Sequence, residues 1–234
     1  MTAPTPLPYG TPETPRVSVR GEARLEADPE IARLRITVTA RGTDRTTTLH
    51  DLTQRNSRAL DLLKSYGEAV EKTETGYISI TPQLTEKGRG ERISAYNGSI
   101  HLTATVNDFT VLGELTTRLA DLPLTRIGGP WWALRPDSPA HAEVRRKAVR
   151  EAVQRAREYA AALGADLTAL LELADDGAEH TGFSGPGGAM PRRPRAAAGA
   201  AGAAASAPEL DLEPQRQTLR AQVSARFTMT PPRL

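Results

Sequence analysis

A chain of 234 residues, 38% of them hydrophobic, is long enough for one large or two small domains, and its 4% aromatic content predicts a core of closely packed aliphatic side chains. A net charge of +2 gives no reason to invoke nucleic acid, and the lack of cysteine excludes disulfides, thiolate metal sites and a cysteine nucleophile. The opening residues lack the basic-then-apolar pattern of a secretory leader, and no run of about 18 apolar residues suggests a membrane span, so the expected location is cytoplasmic.

Residues 1–15 carry five prolines without periodicity and read as an extended, disordered tail. From Val17 the pattern alternates: Val17, Val19, Gly21, Ala23 and Leu25 face one way, "ADPE" supplies a turn, and Leu34, Ile36, Val38 and Ala40 resume alternation against Arg33, Arg35, Thr37 and Thr39. Such alternation means one buried and one wet face, and the short turn predicts a β-hairpin. "GTDRTTTLHDLTQRNSRALDLLKSYG" then switches to helical spacing, with Asp44 or a neighbouring Thr as N-cap and Gly67 as terminator.

Strand character returns over 70–81, followed by the charged loop "EKGRGER" and the strand "YNGSIHLTATV". In the latter, Tyr96, Ile100, Leu102, Ala104 and Val106 face a core, while Ser99, His101, Thr103 and Thr105 share the opposite, polar face. Asp108 signals a second helix with Leu112, Leu115, Leu119 and Leu122 at spacings of three and four. A short strand follows at "IGGPWWAL", where Trp132 shares parity with Leu134 and is expected inside, leaving Trp131 outside.

Residues 139–163 give the strongest helix: Pro139 suits its first turn, Gly164 its end, and Val144, Ala148, Ala152, Ala156 and Ala160 form a stripe of small residues that permits close approach to a sheet. "LTALLEL" reads as a strand. A flexible Ala/Gly/Pro-rich insertion at about 178–208 precedes a last strand from Gln217 to Met229. Strands with one wet face plus three helices predict an α+β fold, with helices packed on one face of antiparallel sheet.

Chemistry-bearing motifs are scarce. The four histidines, His50, His101, His141 and His180, have no metal-ligand spacing, and His101 stands out only because it lies on the polar strand face. "GPGG" at 185–188 follows no βα unit, and "GFSGP" fails the nucleophile-elbow pattern, which removes Ser184. Basic residues concentrate in the helix at 139–163 and in "PRRPR" at 191–195, but no aromatics are interleaved with them, so nucleic acid is not expected as a partner. No catalytic, metal or cofactor-binding residues are assigned. The candidate interaction surface is Trp131 with Ser99, His101, Thr103 and Thr105.

Three segments together resemble the SIMPL (DUF541) family, named for a protein that associates with a Pelle-like kinase and containing bacterial periplasmic immunogenic and oxidative-stress-linked members. They are "VSVRGEARLEADPEIARLRITVTARG", "ISAYNGSIHLTATVNDFTVLGELTTRLADL" and "AVREAVQRAREYAAALGADLTALLEL", with Leu219 to Thr228 resembling the family's last strand. The resemblance implies two intertwined subdomains within one SIMPL-like domain at 16–234, a tendency to homo-oligomerise, and no established catalytic residues. The expected function is a non-enzymatic, self-associating binding or scaffold module linked to stress responses, with an unknown protein partner and no cofactor. The alternatives are a weak nucleic-acid binder through the basic helix and "PRRPR", and a hydrolase-type enzyme with an unrecognised site around His101.

Overall fold

The computed structural model describes residues 10–84, 93–175 and 210–233. In chain order these form β1 (Arg16–Ala27), β2 (Ile31–Gly42), α1 (Arg45–Ser65), β3 (Val70–Leu84), β4 (Ile93–Val106), α2 (Leu112–Ala120), β5 (Thr125–Ala133), α3 (Pro139–Ala162), β6 (Leu167–Asp175) and β7 (Gln217–Met229). Short 3-10 turns at Gly67–Ala69 and Phe109–Val111 lead into β3 and α2. Two sheets result, in the orders β1-β7-β6 and β3-β4-β2-β5.

The expected hairpin between β1 and β2 does not form, because the two strands belong to different sheets. Alternation fixes which side of a strand is buried and leaves its partner open. The "ADPE" turn carries the chain from one unit to the other, and the chain returns at Pro136, so the units are interleaved in sequence. β2 is central in its sheet, with β4 and β5 on its two edges. Its inward residues Leu34, Ile36 and Val38 are fully buried. The three helices are likewise divided, α1 and α2 covering the four-stranded sheet and α3 the three-stranded one.

In the first unit, α3 starts at Ser138, whose hydroxyl accepts the Ala140 amide at 3.4 Å, with Pro139 in the first turn. It ends at Gly164, whose φ of 66° opens the left-handed region, with the Ala165 amide donating back to Ala160 O at 2.9 Å. The predicted stripe from Val144 to Ala160 is buried. It seats the helix almost on the β1 backbone: a Cβ added to Gly21 would lie 2.6 Å from Ala152 N and 2.7 Å from Ala152 Cβ. β1 and β7 run antiparallel, since Met229 N donates to Pro15 O at one end and the Arg24 guanidinium to the Thr218 hydroxyl at the other.

The second unit has the larger core. Leu52, Ala59 and Leu63 of α1 and Leu112, Leu115 and Leu119 of α2 pack on Leu34, Ile36 and Val38 of β2 and on Leu102, Ala104 and Val106 of β4. Burying these aliphatic groups stabilises by roughly 1.5–3 kcal/mol for each large side chain. Asp44 caps α1, its carboxylate accepting from Thr46 N at 2.8 Å and Thr47 N at 3.1 Å. These bonds, led by those from Thr47, hold the Asp44 carboxyl below its usual range. Asp108 is lowered in the same way by Thr110, as it caps the turn into α2. Residues 1–9 of the proline-rich tail, the "EKGRGER" loop and the insertion at 178–208 lie outside the described residues, while residues 10–15 form a tight turn closed by a Gly10–Pro15 bridge.

Candidate binding face

The register of the four-stranded sheet decides which polar residues meet. On β4, Thr105, Thr103, His101, Ser99 and Asn97 stand opposite Arg33, Arg35, Thr37, Thr39 and Arg41 of β2. On their other side they stand opposite Lys72, Glu74, Tyr77, Ser79 and Thr81 of β3. β5 adds Trp131 beside Arg33, Gly128 beside Arg35 and Arg126 beside Thr37. Directly opposed residues share a sheet face, so this is one continuous outward surface. The helices cover the other face.

Four of the five expected interaction residues, Ser99, His101, Thr103 and Thr105, lie in line along β4. Trp131 is on the same face but two strands away, with β2 between. Ser99 and Ser79 share a hydrogen bond at 3.0 Å, and His101 Nδ1 lies 3.0 Å from the Thr37 hydroxyl. The Tyr77 ring stacks on His101, with centroids 5.7 Å apart and planes at 23°. The middle of the face is therefore internally hydrogen-bonded, with a ring pair at its β3 edge.

The Trp131 ring folds down over Gly128 and Gly129, where added Cβ atoms would each come within 3.2 Å of it. The Arg35 guanidinium stands 5.1 Å from the ring centroid. Trp132 points to the other face, packing on the core and meeting Phe109 edge-on at 4.8 Å. The two tryptophans thus divide between faces as their parity predicts.

The charge of this face comes from strand residues that alternation alone marks only as a wet surface. Arg33, Arg35, Arg41, Arg126 and Lys72 stand on it against one carboxylate, Glu74, and Lys72 pairs with that carboxylate at 2.7 Å. Among the described residues, none of the four arginines makes an ion pair. On α3, Lys147 pairs with Glu143 at 2.9 Å and Arg155 with Glu151, while Arg145, Arg146, Arg150 and Arg157 make no ion pair among the described residues. Lys147 also holds the Glu143 carboxyl below its usual range. The signal available in the sequence is the sign of β2's wet side, which carries Arg33, Arg35, Thr37, Thr39 and Arg41 without a single acid.

His101 has the Thr37 hydroxyl and the Tyr77 ring as neighbours, and neither is an acid that could orient it as a general base. No group of three or more potential metal ligands occurs among the described residues. A cavity of about 380 Å³ lies elsewhere in this unit, between Phe109, Thr110 and Gly113 and the segment Leu210, Asp211 and Leu212. None of the expected interaction residues lines it, and Asp211 is its one ionisable lining residue. No helix among the described residues is long and apolar enough to cross a membrane.

The chain is 25% identical over 172 residues to the 26 kDa periplasmic immunogenic proteins of Brucella melitensis biotype 1 and Brucella abortus strain S19, covering 70% of this chain and 68% of each relative. Among solved structures it is similar to one described as a candidate amidohydrolase/peptidase from Burkholderia cenocepacia, at 18% identity and a TM-score of 0.24. That match covers 57% of this chain and 33% of the other, and a score so low carries no argument about fold or activity. The SIMPL family model, whose description is a protein of unknown function (DUF541), matches residues 17–227. The chain belongs to the SIMPL family.

Proposed function

We propose that this protein is a non-enzymatic binding module whose partner surface is the outward face of the four-stranded sheet, and that the partner is anionic. The observation that carries this reading is the group Arg33, Arg35, Arg41 and Arg126, cations without a carboxylate partner among the described residues, set among hydroxyls on a rigid sheet. Uncompensated charge of one sign on a surface attracts partners of the other sign and speeds their docking. Hydroxyls that already bond one another, as Ser79 does with Ser99, keep the face flat without giving it a reactive group.

Polyglutamate and an oligothymidylate serve as generic anionic probes in a titration followed by fluorescence anisotropy. Binding of at least one should weaken as salt rises and should fall at least ten-fold in an Arg33→Ser, Arg35→Ser double variant. Equal loss from Arg145→Ser, Arg146→Ser in α3, or no binding of either probe, contradicts the assignment.

Self-association, which the family resemblance implies, fits another part of the chain better. Two copies of the arginine-bearing face repel one another, whereas β6 is an edge strand with Leu170, Leu171 and Leu173 each about half exposed. Light scattering of a Leu170→Lys, Leu173→Lys variant tests this: a smaller particle than the parent supports it, and an unchanged mass removes β6 from any interface. The cytoplasmic location expected from the sequence and the periplasmic relatives point in opposite directions, and fractionation of the native host decides between them.

A further inference from the structure

The geometry points to a single-stranded nucleic acid as the anionic partner of the sheet face, an inference that rests on the binding role proposed above. Charge alone would suit an acidic polypeptide equally well; the aromatic groups and their placement favour the nucleic acid. β2 runs through the middle of the face and presents Arg33, Arg35, Thr37, Thr39 and Arg41 in one line. Alternate residues of a strand repeat at about 6.6 Å, close to the separation of successive phosphates along an extended single strand. The line thus offers a backbone track of guanidinium and hydroxyl donors.

Rings flank the track on both sides. Toward β3, Tyr77 is 60% exposed and already stacked on His101, so its ring is held by a neighbour while much of its surface is open to a base. Toward β5, Trp131 lies beside Arg35, and Arg126 adds a further cation next to Thr37. A cationic track with flat rings beside it is the arrangement by which single strands are bound without strong sequence preference. A duplex is a poor match, because its bases are paired and stacked away from such rings. The inference departs from the expectation that nucleic acid is not a partner, which was drawn from the helix at 139–163 and "PRRPR"; here the interleaving of rings and cations runs across strands, where linear sequence does not show it.

The test compares three probes on the intact chain: a labelled oligothymidylate of about twelve nucleotides, a duplex of the same length, which carries about twice the charge, and a polyglutamate matched to the oligothymidylate in charge. The inference predicts that the oligothymidylate binds most tightly, at least ten-fold better than polyglutamate. Log affinity should fall linearly with log salt, and the slope should drop by about 0.7 for each phosphate contact removed in Arg33→Ser and Arg35→Ser. Tyr77→Ala should weaken the oligothymidylate about ten-fold and leave polyglutamate unchanged, and Tyr77→Phe should restore binding. Because Tyr77 is largely exposed, these variants test stacking without threatening the fold. Polyglutamate binding as tightly as the oligothymidylate, or insensitivity to Tyr77→Ala, overturns the nucleic-acid assignment and leaves an anionic polypeptide on the same face. Failure of all three probes overturns both this inference and the binding role beneath it.

Discussion

Gly21→Ala tests how closely α3 is seated in the three-stranded unit. The added methyl would sit 2.6 Å from Ala152 N and 2.7 Å from Ala152 Cβ, and closer still to the Ala148 carbonyl, where ordinary contact begins at 3.4 Å. Both clashing residues belong to one rigid helix, so relief requires α3 to retreat from β1 by roughly 1 Å. That retreat loosens Ala148, Ala152 and Ala156 together, all of them fully buried. Overpacking of this kind typically costs about 1–3 kcal/mol, and backbone on the receiving side places the cost near 3. For a chain of this size such a loss lowers the thermal midpoint by roughly 6–12 °C. Circular dichroism melting measures it, with Gly76→Ala as the control, because a Cβ there meets only His101 O at 3.8 Å. A Gly21→Ala midpoint within about 2 °C of the parent would refute the close seating of α3 on β1.

Leu102→Ala, at a fully buried position of the four-stranded unit, should cost about 2–5 kcal/mol in urea unfolding. Trp132→Ala should cost about 3 kcal/mol by the same measurement because it strips Phe109 and the core of a large neighbour. Trp131→Ala should cost less, since that ring covers Gly128 and Gly129 on the outward face. Asp44 has a lowered carboxyl in the fold, so its capping contribution is fully present above the usual carboxylate range and is lost as pH falls through the lowered value. Asp44→Asn keeps an acceptor for Thr46 and Thr47 and should flatten the acid limb of a melting-temperature profile; an unaltered acid limb would show that the cap does not contribute to it.

Much of the local structure was legible because it follows from periodicity. The buried stripe of α3, the Asp44 cap, the two-faced pattern of β4 and the bounds of β7 each depend on residues close together in the chain. The partner of β1 was not legible, because alternation is satisfied equally by pairing with β2 or with β7. The candidate face shows the same division. Ser99, His101, Thr103 and Thr105 were recognised as one row since they are alternate residues of one strand. Their neighbours Arg33, Arg35, Tyr77 and Arg126 come from three other strands, so the sign of the surface became visible only with the register. Trp131 was correctly turned outward by parity, yet its folding over Gly128 and its contact with Arg35 are long-range results that no local pattern contains.

Amide and His101 ring chemical shifts of labelled protein, followed while an oligothymidylate is added at low salt, test the central claim most directly. The account predicts that shifts move at Thr37, Thr39, His101, Thr103 and Arg126 and at the indole of Trp131, while α3 from Arg145 to Arg157 stays still. Shifts confined to α3, or none at any residue of the sheet face under conditions where binding is saturated, would contradict it.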